Sequence, residues 1–364
     1  MTDSKSKILI LVPKTSLIGG IANYYQSLRP FLAENYIYFT RGGRGADNHL
    51  YRLYLLIYDI IRLAIKVVFF RPKVCIINTS IGYNSLRRDA LFIRIIKTTS
   101  NSKIVVFFRG WDNSFFEKEN VPKWFIRSFL TADSIIVLAK SSKEIISNLG
   151  YKAPIFVETT TVNESVLKIR EFPYEISTVI NLLFMSRIEA DKGVNELIDA
   201  VKILQQQKLN NIKLDIAGTG SITNNIIKKI KDSNLKNIFM HGFVKDISKS
   251  YLLNDANIFI FPSSHGEGMP NSILEAMSFG IPIITTKIGG VPDFFEDGKM
   301  GLFLDNCEPK HIAEKIQYLL EHPVLMKQMS EYNYNYAKER FYASKVASRL
   351  ENIITSVGNE ATIR

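Results

Sequence analysis

Two carboxylates, Glu267 and Glu275, stand with seven residues between them in the segment Phe261 to Gly280, FPSSHGEGMPNSILEAMSFG. The residues around them read as the start of a helix. Pro270 suits a first helical turn and Asn271 is a good N-cap. Ile273, Leu274, Ala276 and Met277 supply apolar surface, and Gly280 stops the helix. Glu267 then falls in the loop before the helix and Glu275 about one turn inside it. Between them a helix N-terminus presents unpaired N–H groups, a ready anion site. Two acids beside an anion site make electrostatic sense for a ligand that is anionic at one end and hydroxylated at the other. A nucleotide sugar is such a ligand: its diphosphate takes the N–H groups, and its sugar and ribose hydroxyls take carboxylate acceptors. A departing diphosphate also needs neutralising charge, from a metal or from fixed cations and helix N-termini. Arg187 directly follows an expected strand, and Lys192 comes five residues on, where Gly193 leads into a helix. An Arg forks onto phosphate oxygens and a Lys adds a point charge; a solvated pair at a strand-to-helix turn is the plainer alternative.

Composition narrows the class. The chain has 364 residues, 46% of them hydrophobic, with 20 Gly, 12 Pro and a net charge of +11, an ordinary globular α/β composition with length enough for two domains. Its two cysteines, Cys75 and Cys307, argue against a disulfide framework and for a reducing, cytoplasmic compartment. The five histidines do not group at metal-ligand spacing, and Asp-x-Asp does not occur, so no metal and no resident cofactor are expected. The opening MTDSKSKILILVP is too brief for a signal h-region and reads as a first strand. The longest apolar run, Leu50 to Phe70, is interrupted by Arg52, Asp59, Arg62 and Lys66, whose intervals place them on one helical stripe. That pattern opposes a transmembrane span. It reads as a well-buried helix with one wet edge, with an interfacial helix as the alternative.

These chemical residues sit at the ends of elements that alternate along the chain. Lys7–Val12 reads as a strand, followed by Lys14-Thr15-Ser16-Leu17-Ile18-Gly19-Gly20 and a helix from about Ile21. That is the anion-binding opening of a Rossmann unit, although the glycines lack the G-x-G-x-x-G spacing of dinucleotide sites. Helices at Leu50–Phe70, 84–98, Lys123–Leu130 and Ser141–Leu149 alternate with strands at Val74–Asn78, Ile104–Phe108, Ser134–Leu138 and Ile155–Glu158. A piece containing Glu171-Phe172-Pro173-Tyr174 is the linker candidate. The same rhythm then resumes through strands at Val179–Met185, Lys213–Ala217, Ile238–Met240, Ile258–Phe261 and Ile281–Thr285, and helices at Leu325–Phe341 and Ala343–Val357 close the chain. This alternation predicts α/β architecture with two doubly wound parallel sheets. The expected domains are 1–172 and 173–342, with 343–364 as a final helix.

The segment PSxxEGxPxxxLEAMxxGxP resembles the donor signature of retaining glycosyltransferases of family four, which have the two-Rossmann GT-B fold. The likeness continues in Gly289-Gly290-Val291-Pro292-Asp293, Asp297-Gly298-Lys299-Met300-Gly301, Ser186-Arg187 with Lys192-Gly193, and Gly218-Thr219-Gly220, covering roughly Ile180 to Leu320. The resemblance implies a metal-independent retaining transferase that moves a sugar from a UDP- or GDP-sugar to a hydroxyl of a cell-surface glycan or glycolipid, in polysaccharide- or lipopolysaccharide-type biosynthesis, with no nucleic-acid partner. It implies two Rossmann-like domains facing each other across a cleft, with the last helix crossing back to the first domain. It further implies that Arg187 and Lys192 contact the diphosphate, that Glu267 binds donor-sugar hydroxyls and Glu275 the ribose, and that the backbone at Gly268, Met269, Pro270 and Asn271 holds sugar and phosphate. Gly242, Phe243 and Val244 would line the base pocket, Gly218 would join the nucleotide-sugar site, and Gly19 and Gly20 would face the diphosphate from across the cleft, unless they only make a tight turn. A non-hydrolysing nucleotide-sugar epimerase, and a catalytically silent nucleotide-sugar-binding partner in a polysaccharide assembly, are the rival readings.

Two departures fall on the acceptor side. Many relatives place a His–Gly pair where this chain has Phe108-Arg109-Gly110-Trp111-Asp112, and the usual Asn-Gly is replaced by Glu158-Thr159-Thr160-Thr161-Val162-Asn163. An Arg is no base near neutral pH, so Arg109, with Asp112 nearby, offers instead a place for an acidic acceptor. Residues 50–130 also carry fourteen Lys and Arg against five acids, a net of +9 out of the chain's +11. On helix 84–98 one side gathers Arg87, Arg88, Leu91, Arg94 and Ile95, with Lys97 adjacent. That side is either a solvated basic face or a dock for an anionic membrane at the inner face of the cell.

Overall fold

A computed structural model describes residues 7–13, 19–33, 35–42, 48–117, 121–165, 178–233, 235–264 and 268–359. Glu267, the loop 14–18 and the linker candidate at 171–174 lie outside the described residues. The chain divides into two compact units, one of residues 1–160 with 343–364 and one of residues 161–342, so the first boundary falls ahead of the expected 172.

The N-terminal unit runs β1 (Ile8–Val12), α1 (Gly20–Leu28), β2 (Tyr36–Thr40), α2 (His49–Phe70), β3 (Val74–Ser80), α3 (Tyr83–Thr99), β4 (Lys103–Gly110), α4 (Ser114–Glu117), α5 (Lys123–Phe129), β5 (Ser134–Val137), α6 (Lys140–Asn148) and β6 (Ile155–Val157). Its six strands are parallel in the order β2-β1-β3-β4-β5-β6. β1 and β5 are buried along their whole length, as strands covered by helices on both faces must be. Leu9, Leu11, Ile77, Val106, Ile93 and Phe129 meet in one core.

The C-terminal unit runs β7 (Ile180–Met185), a 3-10 turn (Ala190–Lys192), α7 (Val194–Gln206), β8 (Ile212–Ala217), α8 (Thr223–Asp232), β9 (Ile238–Gly242), α9 (Asp246–Asp255), β10 (Ile258–Phe261), α10 (Asn271–Ser278), β11 (Ile283–Thr286), β12 (Gly301–Leu304), α11 (Pro309–Glu321) and α12 (Pro323–Arg340). Its parallel order is β12-β11-β10-β7-β8-β9, over a separate core that includes Leu182, Phe184, Leu197, Leu214, Ile260 and Ile316. The sequence reading gives no place to β2, β12, α4, α8, α9 or α11. α11 carries a clean signal, since Ile312, Ile316 and Leu319 recur at helical spacing and are buried.

The last helix, α13 (Ala343–Asn359), belongs to the N-terminal unit. Val346, Leu350 and Ile353 are buried, and Arg349 forks onto Glu158 with Nε 3.0 Å from Oε1 and Nη2 3.0 Å from Oε2. Glu158 itself is nearly inaccessible, so this bidentate pair, a strong charge-assisted contact, fixes the helix to the end of β6.

α2 departs from the main sequence expectation. Asn48 caps it, its side chain accepting from the N–H of Leu50 at 2.9 Å, and Arg71 ends it with φ at 45° just before Pro72. Arg52 is exposed, but Asp59, Arg62 and Lys66 do not form an outward wet edge. Asp59 is 2% exposed and accepts from the Gly42 N–H at 3.0 Å and from Arg62 at 3.1 Å. Arg62 lies over the rings of Phe39 and Tyr58, and Lys66 reaches the Tyr38 carbonyl at 3.3 Å. The face turned to water is the apolar one. A buried acid held by a backbone N–H and an Arg outweighed the simple polar-out pattern. α3 follows its pattern in part: Leu86, Phe92, Ile93 and Ile96 are buried and Arg87, Leu91, Arg94 and Lys97 are exposed, but Ile95 is half-buried and Arg88, also half-buried, turns onto the fully buried Asp89 with Nε 2.9 Å from Oδ1.

Candidate functional site

In the second sheet β7 lies between β8 and β10. The chain winds out to β9 on one side, returns beside β7, and winds out to β12 on the other. Ligands of open α/β sheets sit beyond the carboxyl ends of the strands at such a reversal. The segments that leave β7 and β10 there are 186–192 and 262–271, the two stretches that carry the sequence motifs.

Glycines allow these loops to press together. A Cβ on Gly193, at φ +74°, would lie 2.1 Å from the Pro262 carbonyl oxygen. On Gly218, at φ +137°, it would lie 1.8 Å from the Ser186 oxygen, and on Gly220, 2.3 Å from that of Ile188. No side chain fits those gaps, and two of these backbones also occupy the left-handed region. The Gly218 N–H is committed to the Gly242 carbonyl at 2.7 Å, so Gly218 holds the loops in register rather than presenting a free donor. The Asp191 carbonyl accepts from the Ser264 N–H at 2.9 Å and from the Ser263 hydroxyl at 3.2 Å, tying the 3-10 turn to the loop after β10.

Lys192 is completely buried in this junction, its Nζ 3.7 Å from Asp191 Oδ2, whereas Arg187 is exposed. Glu189 accepts from the Ser221 hydroxyl and from its N–H at 3.1 Å. Those two bonds hold its carboxyl below the usual range, with the Arg187 charge assisting.

At the start of α10 the N-cap position is Pro270, not Asn271, and no side chain caps the helix. Asn271 is the first helical residue, and its Oδ1 is buried with no partner among the described residues. The expected cap is not made, because the N-cap position falls on Pro270, whose side chain carries no acceptor. Gly268 accepts from the Gly290 N–H at 2.8 Å, so the Gly-Gly-Val-Pro motif braces the donor-type loop. Met269 and Pro270 are buried. Glu275 forms an ion pair with Lys249 of α9, Nζ to Oε1 2.6 Å. Lys249 was not singled out from sequence; it lies in the polar run KDISKS, which gives no pattern to follow. At the end of β9, Gly242 turns the chain at φ +63°, Phe243 is 57% exposed and Val244 is half-buried. An exposed aromatic at a sheet's carboxyl edge is a surface on which a base can stack.

The N-terminal unit carries the remaining candidates. Gly19 and Gly20 open α1, and among the described residues a Cβ on either would meet nothing within 4 Å. Arg109 ends β4 with its guanidinium carbon 3.7 Å from the Tyr24 ring centroid and 4.4 Å from that of Phe107. Its Nη1 is sealed from solvent and bonded to nothing among the described residues, as is the Tyr24 hydroxyl. Burial pushes the Arg109 guanidinium below its ordinary value and the Tyr24 phenol up to about 12. Asp112 is exposed and accepts from the Ser114 N–H at 3.0 Å and its hydroxyl at 2.7 Å, which makes it the local turn that starts α4. Beside these lies a network that sequence reading did not find. Arg41 binds the Asn78 carbonyl and Asp89 Oδ2, the latter at 3.1 Å, and Tyr25 donates to Asn78 Oδ1 at 3.1 Å. Burial pushes Arg41 down to about 10. Among the described residues, no three His, Cys, Asp or Glu side chains gather as a metal site requires.

Comparison with known proteins agrees with this geometry. Residues 168–336 match the family model of group 1 glycosyl transferases. The two parallel six-stranded α/β units match GT-B glycosyltransferase structures: Anabaena HepE, solved with UDP and glucose, superposes with a TM-score of 0.71 over 96% of this chain and all of its own, at 16% identity. The second unit is thus related to group 1 glycosyltransferases, on a chain with the GT-B fold. Among curated relatives, the capsular polysaccharide biosynthesis glycosyltransferase CapM of Staphylococcus aureus is 26% identical over 62% of this chain and 58% of its own length. The poly(ribitol-phosphate) alpha-N-acetylglucosaminyltransferase of Staphylococcus aureus strain COL is 27% identical over 67% of this chain and 48% of its own. The chain therefore spans about half the length of these curated relatives.

Proposed function

We propose that this protein is a retaining glycosyltransferase that moves a sugar from a UDP- or GDP-linked donor to a hydroxyl of a cell-surface glycan or glycolipid, at the cytoplasmic side of a membrane and without a metal. The observation that carries the reading is the meeting of 186–193 with 262–264 at the reversal point of the second sheet, where Gly193 packs on Pro262 and the Asp191 carbonyl accepts from Ser263 and Ser264. Lys192, Arg187 and the N-terminus of α10 supply the positive potential that a departing diphosphate needs. Glu275, aligned by Lys249, takes the ribose hydroxyls, Glu267 takes those of the sugar, and Phe243 with Gly242 and Val244 bounds the base. Arg109, in the N-terminal unit, holds an anionic group of the acceptor. Capsule- and glycan-building relatives and neighbours solved with UDP support the substrate classes.

A donor panel tests this without knowledge of the acceptor. A UDP- or GDP-sugar should raise the melting temperature and undergo slow hydrolysis that survives EDTA, and NMR of a transfer product should show the donor's anomeric configuration preserved. Activity abolished by EDTA and restored by manganese would overturn the metal-free reading. Indifference to every nucleotide sugar would overturn the whole.

A further inference from the structure

The helix that turns Asp59, Arg62 and Lys66 toward the protein leaves an exposed apolar surface. Leu50, Tyr54, Ile57, Ile61, Ile65 and Val68 of α2 recur every three or four residues and are all about half exposed or more, Ile57 at 50%, Ile61 at 54% and Ile65 at 52%. The stripe runs for about 27 Å at the usual helical rise. Large apolar surface in a continuous line is uncommon on a protein that only meets water. Tyr51 and Tyr58 flank it, rings with an apolar body and a polar tip of the kind that settles at a water–hydrocarbon boundary.

Charge identifies the occupant. The sole acid of α2, Asp59, is buried, and the sole acid of α3, Asp89, is fully buried beneath Arg41 and Arg88. The exposed charges of the two neighbouring helices are all cationic: Arg52 on α2, and Arg87, Arg94 and Lys97 on α3. A second copy of this chain would set cations against cations. No helix of the described residues is long and apolar enough to cross a membrane, and Arg52, Arg62 and Lys66 interrupt α2. We propose that α2 lies in the plane of an anionic lipid bilayer, its apolar stripe seated at the headgroup–acyl boundary and the α3 cations on the lipid phosphates. The α3 face alone, which the sequence suggested as the dock, is then the electrostatic rim of a surface whose centre is α2. The inference goes beyond the transfer reaction and needs neither donor nor acceptor.

The test is co-sedimentation of the full chain, without nucleotide, with phosphatidylcholine vesicles containing phosphatidylglycerol and with phosphatidylcholine alone. Binding should require phosphatidylglycerol and weaken with salt. Ile57→Gln/Ile61→Gln/Ile65→Gln, exposed positions given a good helix former, should reduce it at least about tenfold. Arg87→Gln and Arg94→Gln should each reduce it about fivefold. Circular dichroism and donor-induced thermal stabilisation of the triple variant should match wild type, so failure here and failure of the transferase reading give different results. Wild type that ignores phosphatidylglycerol vesicles, or a triple variant that binds them equally well, overturns the proposal. So does a dimer in sedimentation velocity that the triple variant dissociates in a protein without vesicle affinity, which would make α2 a self-association face.

Discussion

Replacing Arg109 by Met should make the protein more stable and less able to hold an anion. The guanidinium lies on Tyr24 and Phe107 at 3.7 and 4.4 Å, contacts that contribute about 0.5–2 kcal/mol each. Against them stand a cation without a carboxylate partner among the described residues and a sealed, unbonded Nη1. An unpaired buried charge costs several kcal/mol and an unsatisfied buried donor about 1–3 kcal/mol. Part of the side chain remains accessible, which screens and shrinks the first cost. The balance is a net liability of about 1–2 kcal/mol. Met keeps the length of the stem and sets a polarisable sulfur near the ring, so removing the charge should recover that amount. For a unit of this size the gain corresponds to about 2–8 °C in melting temperature. Urea unfolding should show a higher midpoint at unchanged slope. In thermal scans, added inorganic pyrophosphate should stabilise wild type more than the variant, because only wild type keeps the Arg109 site. A destabilised variant, or equal stabilisation of both proteins by the anion, would refute the assignment of Arg109 as a cation held ready for a ligand.

Gly218→Ala, with its Cβ 1.8 Å from the Ser186 oxygen at φ +137°, should cost more than about 3 kcal/mol and abolish donor-induced stabilisation. Gly298→Ala, strained at φ +79° but in open space, should cost about 1 kcal/mol and keep it; similar urea midpoints for the two would sink the packing argument. Lys192→Ala should lower turnover about a hundred- to thousandfold, and wild-type rates in that variant would remove Lys192 from the site. Burial pushes the Cys75 thiol from 9.0 up to about 12. A group raised in this way stabilises the fold fully below its unfolded pKa and loses that contribution as pH rises. Stability should therefore fall above about pH 9 by up to about 1.4 kcal/mol per pH unit from this group, and urea midpoints of Cys75→Val should fall less steeply there.

How much of this was legible in the sequence differs from element to element. Buried parallel strands announce themselves, since Ile8–Val12 and Ile180–Met185 are apolar on both faces and nothing but a covered sheet accommodates that. The glycines at 193, 218 and 220 were legible as motif members, but the reason for each, a carbonyl about 2 Å from where a Cβ would stand, exists only once three strand ends meet. The pair Lys249–Glu275 and the stacking of Arg109 on Tyr24 join residues from different elements, and no local periodicity encodes such a meeting. α2 marks the limit most clearly. Its spacing correctly placed Arg52, Asp59, Arg62 and Lys66 relative to one another around a helix, but periodicity fixes only which residues share a side. Which side faces the protein was decided by the Gly42 N–H and the rings of Phe39 and Tyr58, which supply partners for Asp59 and Arg62. Those partners come from other parts of the chain and are within reach only after the sheet has formed. Only then does a helix that is apolar on two sides bury one of them and leave the other exposed.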